Sequence, residues 1–175
     1  MENTSNNISF LLVTEAIKNL RNEYEGMNDR NLHVESDIFN LGRKPGFAIA
    51  AFMCLDNINV QNETEAARFI AEILSNKILG TKAKAELRDS NIILTFKTLP
   101  QILMSLTSAN GMFSEEQLFW FKCYSNFIAG VFSGALNHFG YRASTTIDHP
   151  CNNDLKMIFK LEKLEGAWEF FSGNH

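Results

Sequence analysis

The stretch YSNFIAGVFSGALNHFG, residues 124–140, contains no Asp, Glu, Lys or Arg, is broken by Gly130 and Gly134, and closes on Gly140. Read as a membrane span it gives one kind of protein; read as the central helix of a core it gives another. A span needs ~20 mostly apolar residues. This run is shorter, follows directly on Lys122 and Cys123, and carries Tyr124, Ser125, Asn126, Ser133, Asn137 and His138. It therefore reads as a buried core helix. Its two sides differ: Phe127, Ile128, Val131, Phe132, Leu136 and Phe139 are bulky, while Asn126, Gly130, Ser133, Gly134 and Asn137 form a strip of small residues. Glycine costs about 1 kcal/mol relative to alanine inside a helix, so two of them predict a compensating close approach by another element.

Ser114 with Gln117 predicts a capping box that starts this helix, and Gly140 ends it. Upstream, Phe10, Val13, Ile17, Leu20 and Tyr24 recur at helical spacing opposite Glu15, Lys18, Asn22 and Glu25, which predicts an amphipathic first helix. Pro45 interrupts the next segment: either one helix kinks there, or a helix ends near Gly42 and another begins with Pro45 in its first turn. In both cases Gly42, Gly46 and Ala50 fall on one ridge. A third helix is capped by Asn62 with Glu65, buries Ala66, Phe69, Ile70, Ile73 and Leu74, and stops at Gly80.

The period then changes to two. Ala83, Ala85 and Leu87 alternate with Lys82, Lys84 and Glu86, RDSN supplies a turn, and IILTF forms the returning strand. Residues 97–113 are ambiguous, with a short helix possible from Pro100 to Leu106. After Gly140, YRASTTI and LKMIFKL flank DHPCNND as a second hairpin, with Leu155, Met157, Phe159 and Leu161 facing inward. Helices separated by antiparallel hairpins give an α+β fold, helices on one face of a small sheet.

The chain has 175 residues, 45% hydrophobic with 15 Phe, and a net charge of −4, which fits one domain with a sizeable core. We assign a single domain to 1–175, with 1–7 and 162–175 as flexible or partner-docked ends. The acidic balance and the lack of a basic cluster argue against nucleic-acid binding. Three scattered cysteines form no disulfide framework, and MENTSNN has no signal-peptide pattern, so the expected setting is cytoplasmic.

Chemistry-bearing patterns are few. LGRKPG has neither the spacing nor the preceding strand of a phosphate loop. His149 and Cys151 form the one close His/Cys pair and lack further ligands for tetrahedral closure. Cys123 reads as an inert thiol, His138 as a helix-end residue, and Glu115 with Glu116 as first-turn acids. We expect no catalytic, cofactor-binding or metal site. Leu11, Leu12, Phe47 and Phe52 add apolar surface to the first two helices, and Trp168, Phe170 and Phe171 end the chain with aromatics that dock on the domain itself or on a neighbour.

These residues carry a family likeness. Gly130, Gly134, Ala135 and Leu136 in the opening stretch resemble the last long helix of the small subunits of TRAPP, the transport protein particle, and Tyr124, Ser125 and Asn126 are most similar to the branch of its acylated core subunit. Gly42 and Gly46 match the paired glycines of the family's second helix; Glu63–Thr64 and Leu79–Gly80 match the start and end of its third. Two features depart from the pattern. Pro45 lies between the paired glycines, and the cysteine that the branch acylates just before the Glu-Thr has no counterpart, since Cys54 is too far upstream.

The resemblance implies helices packed on a four-stranded antiparallel sheet and a non-catalytic scaffold subunit that pairs with paralogous TRAPP small subunits as a homo- or heterodimer. The expected interface is Phe10, Val13, Ile17, Leu20, Phe47 and Phe52, with Gly42, Gly46, Gly130 and Gly134 as close-packing glycines. The implied assembly is a vesicle tether that supports nucleotide exchange on a Rab GTPase in ER-to-Golgi traffic, peripheral to those membranes. The alternative is a ligand-binding sensor module of the related vinyl-reductase-type fold, holding an acyl chain or another apolar molecule.

Overall fold

The computed structural model describes residues 3–55, 58, 60–106, 113–148 and 154–164, with side chains from Phe10 onward. Helices α1 (Asn3–Glu23) and α2 (Arg30–Cys54) come first. A composite helix follows: α3 (Glu63–Arg68), a π-helical stretch (Phe69–Leu74) and α4 (Ser75–Leu79). Then come strands β1 (Lys84–Arg88) and β2 (Asn91–Phe96), the short α5 (Gln101–Met104), the long α6 (Glu115–His138), and strands β3 (Tyr141–Asp148) and β4 (Leu155–Lys163).

The four strands form one antiparallel sheet in the order β1-β2-β4-β3. The two hairpins join through β2 and β4, where Ile92 faces Phe159, Leu94 faces Met157 and Phe96 faces Leu155. All six side chains are buried on the inner face. The first hairpin turns through Asp89 and Ser90, both at positive φ (47° and 59°), which suits a primed two-residue turn. β1 is an edge strand, so Leu87 lies on the inner face yet stays partly exposed.

Helix α6 lies on the inner face of this sheet. Phe132 stacks on Phe96 with centroids 6.3 Å apart and meets Phe159 edge-on, while Phe139 meets Phe69 edge-on at 5.0 Å. Every residue from Ile128 to Leu136 is buried, because the sheet covers one side of the helix and α2 the other. The Ser114 capping box is present in both directions, Gln117 N–H donating to Ser114 Oγ and Ser114 N–H to Gln117 Oε1. No helix among the described residues is long and apolar enough to cross a membrane.

The small-residue strip of α6 meets the glycine ridge of α2. The pairing order is Phe39 with Gly130, Gly42 with Phe127 and Gly130, Arg43 with Gly134, and Gly46 with Val131, so the two helices run parallel. A Cβ built on Gly130 would fall on the Phe39 carbonyl oxygen, on Gly134 on that of Arg43, and on Gly46 on that of Val131. Backbone rests on backbone, leaving no space for even a methyl group. Helix α2 buries only Val34, Ile38, Gly42, Gly46 and Ala50, a narrow stripe at steps of four.

Several local expectations change. Of the two readings of the second segment, the single helix holds: α2 runs through Pro45. Pro45 is exposed, so the Leu41 carbonyl that loses its helical donor lies on the solvent side and can be hydrated. Ile73 is partly exposed, whereas Ser75 is fully buried with its hydroxyl donating to the Ala71 carbonyl. The wider π turn between them rotates the buried stripe by about one residue. Glu65 reaches back to the amide of Gln61, one position beyond Asn62, while Asn62 Oδ1 accepts from Glu65 N–H as expected.

Of the segments assigned as flexible or partner-docked ends, 1–7 and 162–175, the structure describes residues 3–7 and 162–164. Helix α1 begins at Asn3, since extending an established helix costs little once its first turn exists. Lys163 still pairs with Tyr141 in the sheet. Residues 165–175 lie outside the described residues.

The helix contact gives a direct test. Gly46→Ala and Gly134→Ala should each destabilise the protein by ~2–3 kcal/mol in urea unfolding, even though alanine is the better helix former by about 1 kcal/mol. The exposed Ala48→Gly change on α2 should cost only that propensity difference. Unaltered stability in Gly134→Ala would contradict the backbone contact.

Candidate partner interface and apolar pocket

The glycine contact divides the exposed surface of α2 into two flanks. On one, Pro45, Ile49 and Phe52 converge with Phe10 of α1, Leu79 of α4 and Phe127 of α6 around a pocket of about 620 Å³. Its walls are almost entirely apolar, with Lys77 at the margin. On the other flank, Asn40, Arg43, Lys44 and Phe47 of α2 and Asn137 of α6 line a second groove of about 580 Å³.

The expected interface residues separate accordingly. Val13 and Ile17 are buried inside the chain, in the hydrophobic core, so they cannot face a partner in the folded protein. Phe10 and Leu20 are partly buried against that core, Phe10 also lining the pocket. Phe47 and Phe52 remain exposed but on opposite flanks. The most exposed large apolar side chains among the described residues are Leu55 (77%), Phe52 (71%), Leu12 (69%), Leu11 (64%) and Leu32 (63%). Periodicity alone could place Leu11 and Leu12 off the α1 stripe. It could not show that Ile78 and Leu79, read simply as a helix end, would become a pocket wall.

Polar contacts fix α1 in place. The Arg21 guanidinium donates to both carboxylate oxygens of Glu116 at 2.6 and 2.8 Å and lies 4.7 Å from the centroid of the Phe119 ring. Trp120 Nε1 donates to the same carboxylate at 2.8 Å. The hydrogen bonds from Arg21 hold the Glu116 carboxyl below its usual range. Thr14 donates its hydroxyl proton to the Phe10 carbonyl at 2.8 Å, so Tyr124 O–H donates to Thr14 Oγ1 at 2.5 Å. Tyr24 O–H donates to Asp37 at 2.5 Å and its ring stacks on His33, joining the end of α1 to α2.

Titratable groups inside the fold are set by burial. Desolvation pushes the Cys123 thiol up to about 12, with the nearby Glu35 charge adding to the effect. Glu35 itself is raised by burial, partly offset by Lys122. Burial lowers His138, whose ring contacts Phe47 and Phe139. A thiol held protonated is neither a nucleophile nor a metal ligand. No group of three or more His, Cys, Asp and Glu able to hold a metal occurs among the described residues. The His149/Cys151 pair and the aromatic residues Trp168, Phe170 and Phe171 lie outside them.

Comparison with known proteins agrees with this architecture. The chain superposes on a trafficking protein particle complex subunit 3 from Naegleria fowleri, whose crystal structure has palmitic acid covalently bound. The TM-score is 0.72 at 15% identity, covering 93% of this chain and 98% of that one. An H-NOX protein from S. oneidensis gives a TM-score of 0.48 at 14% identity over 90% of this chain and 74% of that one. A search of curated protein sequences finds no significant match. The family model described as transport protein particle (TRAPP) component matches residues 9–162. With that match covering most of the chain, the chain belongs to the TRAPP component family.

Proposed function

We propose that this chain is a non-catalytic structural subunit of a TRAPP-type vesicle tether. Its apolar surface at Leu11, Leu12, Phe52 and Leu55 docks another TRAPP small subunit, and the assembly supports nucleotide exchange on a Rab GTPase in ER-to-Golgi traffic. The observation that carries the reading is the family match over residues 9–162, together with four large apolar side chains of α1 and the end of α2 left mostly in water. Family membership implies assembly with other subunits, and unpartnered apolar patches of this kind mark protein–protein contacts. Work at the membrane is then peripheral, through the assembled complex.

A second reading concerns the pocket itself. At about 620 Å³ with apolar walls, it falls within the range of small-molecule sites, about 300–1,000 Å³. The fold-similar subunit from Naegleria fowleri carries palmitic acid covalently bound. Here Met53 lines the pocket and the neighbouring Cys54 does not, which favours an apolar molecule held without a covalent bond. Native mass spectrometry of freshly purified protein should detect a releasable apolar molecule; a uniformly empty protein would remove this reading.

Two further measurements address the main proposal. Leu12→Asp combined with Phe52→Asp should leave the circular dichroism unchanged. It should weaken capture of TRAPP small subunits from native cells more than tenfold, as expected for loss of about 2 kcal/mol at an interface anchor. Ile17→Asp, by contrast, should unfold the chain. Unimpaired subunit capture by the double variant would reject this face, and recovery of only the chain's own copies would reassign it to self-association. For the non-catalytic reading, a Cys54→Ser/Cys151→Ser variant leaves Cys123 as the sole thiol. It should react with Ellman's reagent at about pH 8 only as fast as the protein unfolds; rapid reaction in the native state would overturn the assignment of an inert thiol.

A further inference from the structure

The sheet has two edges, and they are built differently. On β1, Lys84 and Arg88 both pair with Glu86. Just ahead of that strand, Ala83 N–H donates to the Ala71 carbonyl at 2.9 Å, so the π-helical stretch covers the start of the edge. Short strands, charges and covering elements are how proteins protect an edge from added strands. β3 lacks these devices. It is longer, pairs with β4 without a bulge from Tyr141–Lys163 to Asp148–Lys156, and contains neither Lys nor Pro. Its main neighbours are β4 and α6, and its charges are Arg142 and Asp148, near its two ends.

The register shows which backbone groups are free. Leu164 N–H donates to the Gly140 carbonyl at 2.9 Å, one step beyond the Tyr141–Lys163 pair. Alternation along an antiparallel ladder then turns the backbone groups of Arg142, Ser144, Thr146 and Asp148 toward β4. Those of Ala143, Thr145 and Ile147 point outward, and no other described backbone group bonds to them.

We propose that β3 pairs antiparallel with β3 of a second copy, across a two-fold axis through Thr145. The outward N–H groups of Ala143, Thr145 and Ile147 donate to the carbonyls of Ile147, Thr145 and Ala143 of the second copy. Arg142 then faces Asp148 of that copy in a non-hydrogen-bonded pair, where opposed side chains lie closest. Arg142 has no ion pair among the described residues, and Asp148 meets Lys156 only at 3.7 Å. A shift of one residue would set inner side chains against outer ones, and a shift of two would break both charge pairs. The strand is thus complementary to itself in one register, which selects a second copy as the occupant. This edge belongs to the sheet, on the side of α6 opposite α2, so the inference stands independently of the subunit reading.

Sedimentation of the full chain should show a reversible dimer at concentrations on the order of 0.1 mM, as suits a small transient interface. Thr145→Pro removes an outward N–H and spares the β4 ladder; it should weaken the dimer by about tenfold or more with unchanged circular dichroism. Arg142→Glu should weaken it as well, and adding Asp148→Lys should restore it. Amide exchange should slow at Ala143, Thr145 and Ile147 as concentration rises, while Ser144 and Thr146 stay protected throughout. A chain that remains monomeric at that concentration would overturn the proposal. So would a dimer insensitive to Thr145→Pro, a dimer abolished by Leu12→Asp with Phe52→Asp, or outward amides equally protected at every concentration.

Discussion

The rest of the fold depends on the backbone contact between α2 and α6. Two parallel helices meet where Gly42 and Gly46 face Gly130 and Gly134, with carbonyl oxygens occupying the places where β-carbons would stand. Parallel helices align their dipoles unfavourably, and four glycines sacrifice helix propensity. What offsets these costs is dispersion between closely apposed backbones, assisted by weak Cα–H···O contacts of the kind seen at helix interfaces. Because this contact is narrow, α2 lies high on α6 with only one stripe buried, and its two flanks remain available. The pocket and the second groove are both products of that geometry.

On the other side of α6 the packing is of an ordinary kind. Phe132 inserts between Phe96 and Phe159 of the sheet, and alternating residues of β2 and β4 supply a continuous apolar floor. The central helix therefore meets two unlike neighbours. Large side chains interlock with the sheet, whereas bare backbone meets α2. This division explains why the uncharged stretch is not uniformly bulky, as a lipid-facing helix could be, but bulky on one side and stripped on the other.

Much of this was legible in the residues. The cap at Ser114, the glycine stop at Gly80 and the alternation of Leu155 to Leu161 are local signals, and local physics decides them. The small-residue strip announced a close approach, and the two stretches of period two gave both hairpins and so the four strands. Three features were not legible. The choice between a continuous and a divided helix at Pro45 depends on the exposure of that side of α2, a fact of tertiary placement. The π turn at Phe69–Leu74 comes from packing over several residues, so no single residue signals it. The burial of Val13 and Ile17 depends on how closely α1 seats on α6, which Arg21–Glu116 and Thr14–Tyr124 set across residues distant in sequence.

The π-helical stretch has a consequence for how this surface can diverge. A π turn holds one more residue than the α turn it replaces, so it behaves as an insertion that the helix has absorbed without breaking. Everything after it, including Ile78 and Leu79 on the pocket wall, is set about 100° around the axis from where an uninterrupted α-helix would place it. Loss of a single residue between Phe69 and Leu74 would remove the π turn and its offset together, leaving a regular helix, an intact cap and the same side chains toward the pocket. Relatives with the same fold and the same glycines could thus differ in length across this stretch without changing what this cavity accepts.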